Sequence, residues 1–335
     1  MSDSVAAMFN IKEKFAVATF LVVSLLSPWC HAQDLKPIRV SLSLGAGQLG
    51  LWVTRDAGLF AKYGLDAELV GLQSAPRQIQ LLLSGETLFA STSGTAPMRA
   101  RIEGADTIFT MGVLNSFTLS VVAVPEIKDA RDLRGKILGV GSLASSPENL
   151  ARRWLKQTGI ERDVKILPTG GYIESLAAME RRQIHAAVLD PPRAYIGRKK
   201  FSFGTLVNLA EQFKYLTTAT ITTAANVRRD RDVILRFTKA YIEGIHRVKT
   251  DKEFAINVLG KSLRTSDRDA LEETYRVFST LFEKVPYPAP EGIESVLEEL
   301  RGQTPKAKNF RPEEFVDSTF VRELDQSGFI KNLYR

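Results

Sequence analysis

Four short segments concentrate Gly, Ser and Thr where backbone amides and hydroxyls can meet a solute: Gly45–Gly50, Thr92–Thr95, Gly141–Ser146 and Thr169–Tyr172. Each follows a strand-like run and leads into a helix-like one. Small residues let bare backbone approach a ligand, hydroxyls add donors, and the following helix offers partial positive charge at its N-terminus. Such a set holds an anionic or polar solute without a full charge in the pocket. One such loop is equally an ordinary strand-to-helix turn with its N-cap; the recurrence in four places is what points to binding. Gln48 and Leu49 belong to the first loop, Ser93, Gly94 and Thr95 to the second, Ser145 and Ser146 to the third, and Tyr172 closes the fourth. Asn115 and Phe117 end another strand-like run, with Phe117 placed either to stack on a ligand or to pack in the core. Asp190 stands either to meet a donor group of the ligand or to cap the next helix. No catalytic set and no cofactor site stands out.

The elements that must carry these loops follow an alternating grammar. Ile38–Leu44 reads as a strand, and Leu51, Ala57, Leu59, Phe60 and Tyr63 give an apolar helical face that ends at Gly64. Helices at 74–84 and 96–103, with strands at 88–91 and 107–114, continue the pattern. Strands alternating with helices of this length imply parallel βαβ units with right-handed crossovers. Thr118–Val124 is a continuous apolar strand stopped by Pro125, after which the grammar restarts. Ser146 as N-cap with Pro147 as first helical residue opens a helix to Thr158. Tyr215–Thr223 is a second extended β-branched run, expected to pair with Thr118–Val124 as the return crossing. From Asp230 onward the chain reads as helical, with Val233, Phe237, Ala240, Tyr241, Ile245 and Val248 on one face. The expected fold is α/β, a two-lobed clamshell in which each lobe is a mostly parallel sheet flanked by helices, with a helical C-terminal region. Residues 33–124 and 214–335 form the first lobe in this reading, and 125–213 the second. Ligands of open α/β sheets bind outside the carboxyl ends of strands, so two facing lobes make a cleft that closes by hinge motion.

Composition narrows the classes. Hydrophobic residues at 44% and charged ones at 25% are those of an ordinary globular protein. The net charge of +7 is moderately basic, but runs such as Arg228-Arg-Asp-Arg-Asp232 intersperse the signs, so no nucleic-acid stripe is present. Lys12 and Lys14, the apolar run Phe15–Leu26 and the small residue Ala32 read as a secretory signal peptide over residues 1–32. Its apolar core is too short for a permanent span. Pro28-Trp29 before Cys30 departs from a lipobox, and cleavage after Ala32 would leave no cysteine, hence no disulfide and no thiolate metal site. His185 and His246 are too few for a histidine-based metal site; His185 reads as a surface or loop residue, Trp52 as core and Arg77 as a solvated helix residue.

The wording of several blocks carries a resemblance. Gly58-Leu-Phe-Ala-Lys-Tyr-Gly-Leu-Asp-Ala-Glu-Leu resembles the GLFxKxGLDVEL signature of the ABC-transporter periplasmic solute-binding proteins of the nitrate/sulfonate/taurine and thiamine-precursor group. Ser84-Gly-Glu-Thr-Leu-Phe-Ala90 with Ser93-Gly-Thr95 is similar to the AGExDFA…G pattern of that family. Asp132-Leu-Arg-Gly-Lys136 with Gly139-Val-Gly141 is similar to DLKGKxVGV, and Arg182–Pro192 to GxVDAAxxxEP. His185 stands where relatives usually carry Asp, and Asp190-Pro-Pro replaces Glu-Pro. The resemblance implies a ligand between two lobes, touched at Gln48, Ser93, Gly94, Thr95, Ser145 and Ser146. It also implies a periplasmic location, a small-molecule solute and an inner-membrane permease as partner, with a monomer as the working form. The solute is expected to be organic, sulfonate- or carboxylate-like. A sensor's binding module is the alternative. An enzyme that makes a pyrimidine precursor, as some relatives do, is disfavoured by the missing cysteine-rich motif and by the export signal.

Overall fold

The computed structural model describes residues 35–335 apart from residue 144; the expected signal peptide lies outside the described residues. The described chain opens with β1 (Lys36–Ser43), whose Ile38, Val40 and Leu42 all point into the core. The alternation of polar and apolar side chains in this strand fits a ladder that buries one face. A short 3-10 turn, Ala46–Gln48, then runs directly into the helix Leu49–Asp56, so the expected 45–50 loop is largely helical. The helix is buried from Leu49 to Thr54 because the sequence is apolar all round there. Gly58 at φ 67 breaks the expected single helix in two, and Gly64 at φ 71 ends the second piece, Leu59–Lys62.

Among the described residues, ten strands form two five-stranded sheets. The first has the order β2-β1-β3-β10-β4, with β2 (Leu65–Leu72), β3 (Phe89–Thr92), β4 (Thr107–Ser116) and β10 (Lys214–Thr223). The second has the order β7-β6-β8-β5-β9, with β5 (Ser120–Ala123), β6 (Ile137–Val140), β7 (Lys165–Pro168), β8 (Ala186–Leu189) and β9 (Gly204–Asn208). In each sheet three adjacent strands are mutually parallel, the fourth runs antiparallel to them, and the fifth, paired antiparallel to the fourth, runs the same way as the first three. The two sheets are thus built alike. The antiparallel strand next to the parallel three, β10 in one and β5 in the other, is the strand with which the chain enters that sheet from its partner.

The expected pairing of 118–124 with 215–223 does not occur. β5 is bonded to β8 and β9, whereas β10 is bonded to β3 and β4. A β-branched run fixes extended backbone but not its neighbour, and each run here completes the sheet it enters. β5, which the expected boundary at 124/125 assigns to the first lobe, is bonded into the second sheet. The crossings themselves do touch: Leu209 donates its N–H to the Leu119 carbonyl at 3.0 Å, and Lys214 pairs with Ser116. Phe117 and Tyr215 meet edge to face there, ring centroids 5.2 Å apart at 84°.

Helices cover both sheets. The amphipathic helix Arg231–Thr250 packs its buried Phe237 against Phe89 of β3, centroids 4.0 Å apart, and against Phe60 at 5.6 Å. The helices Lys252–Leu263, Arg268–Leu281, Pro290–Arg301 and Thr319–Gln326 follow, so the chain beyond Asp230 is helical as expected. Arg198 and Lys199 of the helix Pro191–Phe201 pair with Glu273 and Asp269 of the helix Arg268–Leu281, tying second-sheet helix to C-terminal helix. No helix among the described residues is long and apolar enough to cross a membrane.

Candidate ligand-binding site

Two of the expected loops do converge. Thr95 opens the helix Thr95–Ile102 at the end of β3, and Ser146 opens the helix Ser146–Gln157 beyond β6 in the other sheet. The cap of the second helix is one residue earlier than expected. Ser145 is its N-cap and accepts from the Glu148 N–H at 3.4 Å, so the Ser146 hydroxyl is released from capping. Thr95 Oγ1 lies 3.1 Å and Ser146 Oγ 2.6 Å from the same phenolic oxygen, that of Tyr215.

Tyr215, 2% exposed, projects from the start of β10. A fourth group completes the cluster: Glu299 Oε2 accepts from Tyr215 at 3.0 Å and from Ser146 at 3.0 Å. A carboxylate only accepts, so the donors must point toward it. The order that makes both bonds to Glu299 runs Thr95 to Tyr215 to Glu299, with Ser146 donating to Glu299 beside it, each hydroxyl donating once. Burial pushes the Tyr215 phenol upward, and the nearby Glu299 charge adds to it. The phenol therefore stays protonated and the chain of donors intact.

Glu299 reaches the cluster because its helix, Pro290–Arg301, lies almost on the backbone of β10. A Cβ on Gly292 would stand 3.1 Å from the Leu216 nitrogen and 3.3 Å from the Tyr215 carbonyl carbon. Gly94 is covered from the same side. Its N–H donates to the Leu216 carbonyl at 3.0 Å, and a Cβ there would meet Val296 at 3.3 Å. Ser93 beside it is half-buried. Neighbouring Arg153 and Glu298 pair at 3.4 Å across the same two helices, both side chains well exposed.

Other expected site residues are committed elsewhere. Gln48 is 3% exposed; its Nε2 donates to the Ser91 carbonyl at 3.2 Å and its Oε1 accepts from the Ser91 hydroxyl at 2.7 Å. Leu49 is a core residue with no exposure. Asn115, 3% exposed, staples the 286–289 connector: Nδ2 donates to the Tyr287 carbonyl at 2.9 Å and Oδ1 accepts from the Ala289 N–H at 3.0 Å. Phe117 belongs to the core against Tyr215. In the 169–172 loop, the Thr169 hydroxyl turns inward to the Val140 carbonyl at 2.9 Å and to Ser175.

Tyr172 and Asp190 come together at the end of the second sheet. Asp190 caps the helix Pro191–Phe201, accepting from the Arg193 N–H at 3.2 Å and from the Arg193 guanidinium at 2.9 Å. Burial pushes the Asp190 carboxyl above its ordinary value although Arg193 pulls it back. Burial and the Asp190 charge push the Tyr172 phenol up to about 12. His185 is half-buried, and its Nδ1 accepts from the Ile137 N–H at 3.3 Å, so it holds the start of β6. Trp52 is core, as expected, and the Arg77 guanidinium donates to Gln80 at 3.2 Å on an exposed helix face. Among the described residues no group of three or more His, Cys, Asp or Glu is placed to hold a metal.

Tyr215 and Glu299 are the members of this candidate site that sequence reasoning missed. Tyr215 opens the β-branched run 215–223, a visible signal; Glu299 is one of several glutamates on an amphipathic helix, with none.

Two like-built sheets, joined by two adjacent crossings and meeting at helix N-termini, are the periplasmic binding protein fold. The profile described as NMT1/THI5 like matches residues 47–255, more than half of the chain, and the chain belongs to that family. The sequence matches no curated protein. The fold is similar to the crystal structure of the periplasmic aliphatic sulphonate binding protein from Escherichia coli, with a TM-score of 0.66 at 16% identity over 86% of this chain and 96% of that one. It is similar also to a putative periplasmic sulfonate-binding protein from Methylobacillus flagellatus KT, with a TM-score of 0.67 at 16% identity over 88% and 97%. The periplasmic nitrate-binding protein from Synechocystis PCC 6803 gives 0.65 at 12% identity over 88% and 89%.

Proposed function

We propose that this protein is the solute-binding component of an ABC importer, exported to the periplasm, where it takes a small polar organic solute between its two sheets and presents it to an inner-membrane permease. The observation that carries this reading is the meeting of Thr95 and Ser146, each the first residue of a helix on a different sheet, at one phenolic oxygen. A solute seated between those helix ends touches both halves at once, so binding favours the closed form. The division of labour follows the crossings: one lobe holds β1–β4, β10 and the C-terminal helices, the other β5–β9. Membership of the family and likeness to binding proteins named for aliphatic sulphonates and nitrate support a binder rather than a catalyst.

The test is a thermal-shift screen of the chain from Gln33 onward against alkylsulfonates, taurine, nitrate, bicarbonate, aromatic carboxylates, amino alcohols and pyrimidines. A ligand at 100 times its dissociation constant stabilises by about 2.7 kcal/mol, a readily visible shift. Small-angle scattering with the hit should show a smaller radius of gyration than without it. A hit with no compaction would sink the hinge reading.

A further inference from the structure

The cluster at Tyr215 contains an anion of the protein's own. The Glu299 carboxylate accepts from Ser146, the first residue of the helix Ser146–Gln157, and from Tyr215, which also joins Thr95. Ser146 and its helix belong to one sheet, and Tyr215, Thr95 and the helix that carries Glu299 pack with the other. A carboxylate bonded by two hydroxyls at the positive end of a helix is what a bound oxyanion would look like there. Here that group is tethered to the chain. A second oxyanion at the same point would meet a like charge in partly buried surroundings, where repulsion is weakly screened.

We propose that Glu299 is the specificity-determining residue of the inter-sheet site: it fills the oxyanion position beside Ser146 and Tyr215, and so turns free oxyanions away from that corner in favour of solutes that bring a hydrogen-bond donor to it. Hydroxyl- or ammonium-bearing organic solutes satisfy the carboxylate, whereas sulfonate, nitrate or carboxylate groups do not. This deepens, and rests on, the reading of the chain as a solute-binding protein. It narrows the sequence-based expectation of an anionic or polar solute to a polar one that brings a donor.

The experiment is chemical rescue of Glu299→Ala. Melting temperature is followed against sodium acetate, with sodium chloride at equal ionic strength as the reference. Removing the tethered carboxylate should let acetate enter, giving a saturating rise with a midpoint at least about tenfold below any wild-type response. Adding Tyr215→Phe should abolish the rise, because the acetate then loses a donor. Glu299→Ser, which puts a small hydroxyl in the vacated space, carries the same expectation and serves if the alanine variant folds poorly. Equal acetate responses in wild type and both variants, or none in a variant whose circular dichroism is native, would overturn the proposal. Acetate occupancy needs no transported solute, so a failed rescue and a blank solute screen are separate results.

Discussion

Ser146 Oγ and Tyr215 Oη lie 2.6 Å apart although one follows a strand of the second sheet and the other begins a strand of the first. This short contact is the seam between the two halves of the molecule.

Tyr215→Phe deletes the oxygen that Thr95, Ser146 and Glu299 share while keeping the ring packed on Phe117. Leaving buried polar groups without their partner costs about 1–3 kcal/mol. The urea midpoint should fall accordingly, with an unchanged m-value. No change in midpoint would mean the cluster contributes nothing to holding the sheets together.

Gln48 separates a structural role from a binding one. Its amide is used on both ends by Ser91. Gln48→Ala should therefore cost about 1–3 kcal/mol through the stranded Ser91 groups, yet leave the affinity for any solute found in the screen unchanged. A selective loss of affinity at native stability would restore the ligand role that its loop position implies.

Gly292 sets the height of the helix that carries Glu299. Its substitution by Ala would press a methyl group onto the backbone of β10, which cannot move aside as a side chain can. Overpacking of this kind costs about 1–3 kcal/mol. Gly292→Ala should lower stability and, by lifting Glu299 from Ser146, should also raise the response to acetate. A neutral substitution would show that the helix sits less closely than described.

His185 gives the expected pH dependence. Burial, with Lys136 and Arg182 nearby, lowers its pKa below the ordinary 6.5, and its Nδ1 must be unprotonated to accept from Ile137. The unfolded chain then takes up the proton first. The stabilisation is complete above pH 6.5 and is lost as pH falls through the folded value. His246 is lowered as well, so the comparison is between wild type and His185→Gln. The variant should show a shallower fall in melting temperature between about pH 7 and pH 5, a window that brackets an ordinary histidine. Parallel curves would remove His185 as a contributor.

The alternation of strand and helix, the glycine stops and the restart of the pattern after Pro125 are local properties, written in side-chain periodicity and backbone preference. From them the sequence by itself determined the alternation of strand and helix and two α/β halves, though not the strand Gly204–Asn208. Two helix starts were legible to within a residue: Ser74, where the expected 74–84 helix begins, is the cap of Ala75–Leu83, and the cap of Ser146–Gln157 fell on Ser145 rather than Ser146. Partnership was not legible. An apolar β-branched run such as Ser120–Ala123 pairs wherever its register and burial are satisfied, and only the assembled sheets decided that β8 and β9 receive it. Likewise, Gln48 and Asn115 have polar groups that suit a ligand as well as a neighbouring backbone, and their burial chose the backbone. Glu299 lies 153 positions from Ser146 in the chain. Nothing in a helix with glutamates at 291, 294, 298 and 299 marks which one turns inward; the close seat of Gly292 on β10 selects it, and that seat exists only in the folded molecule.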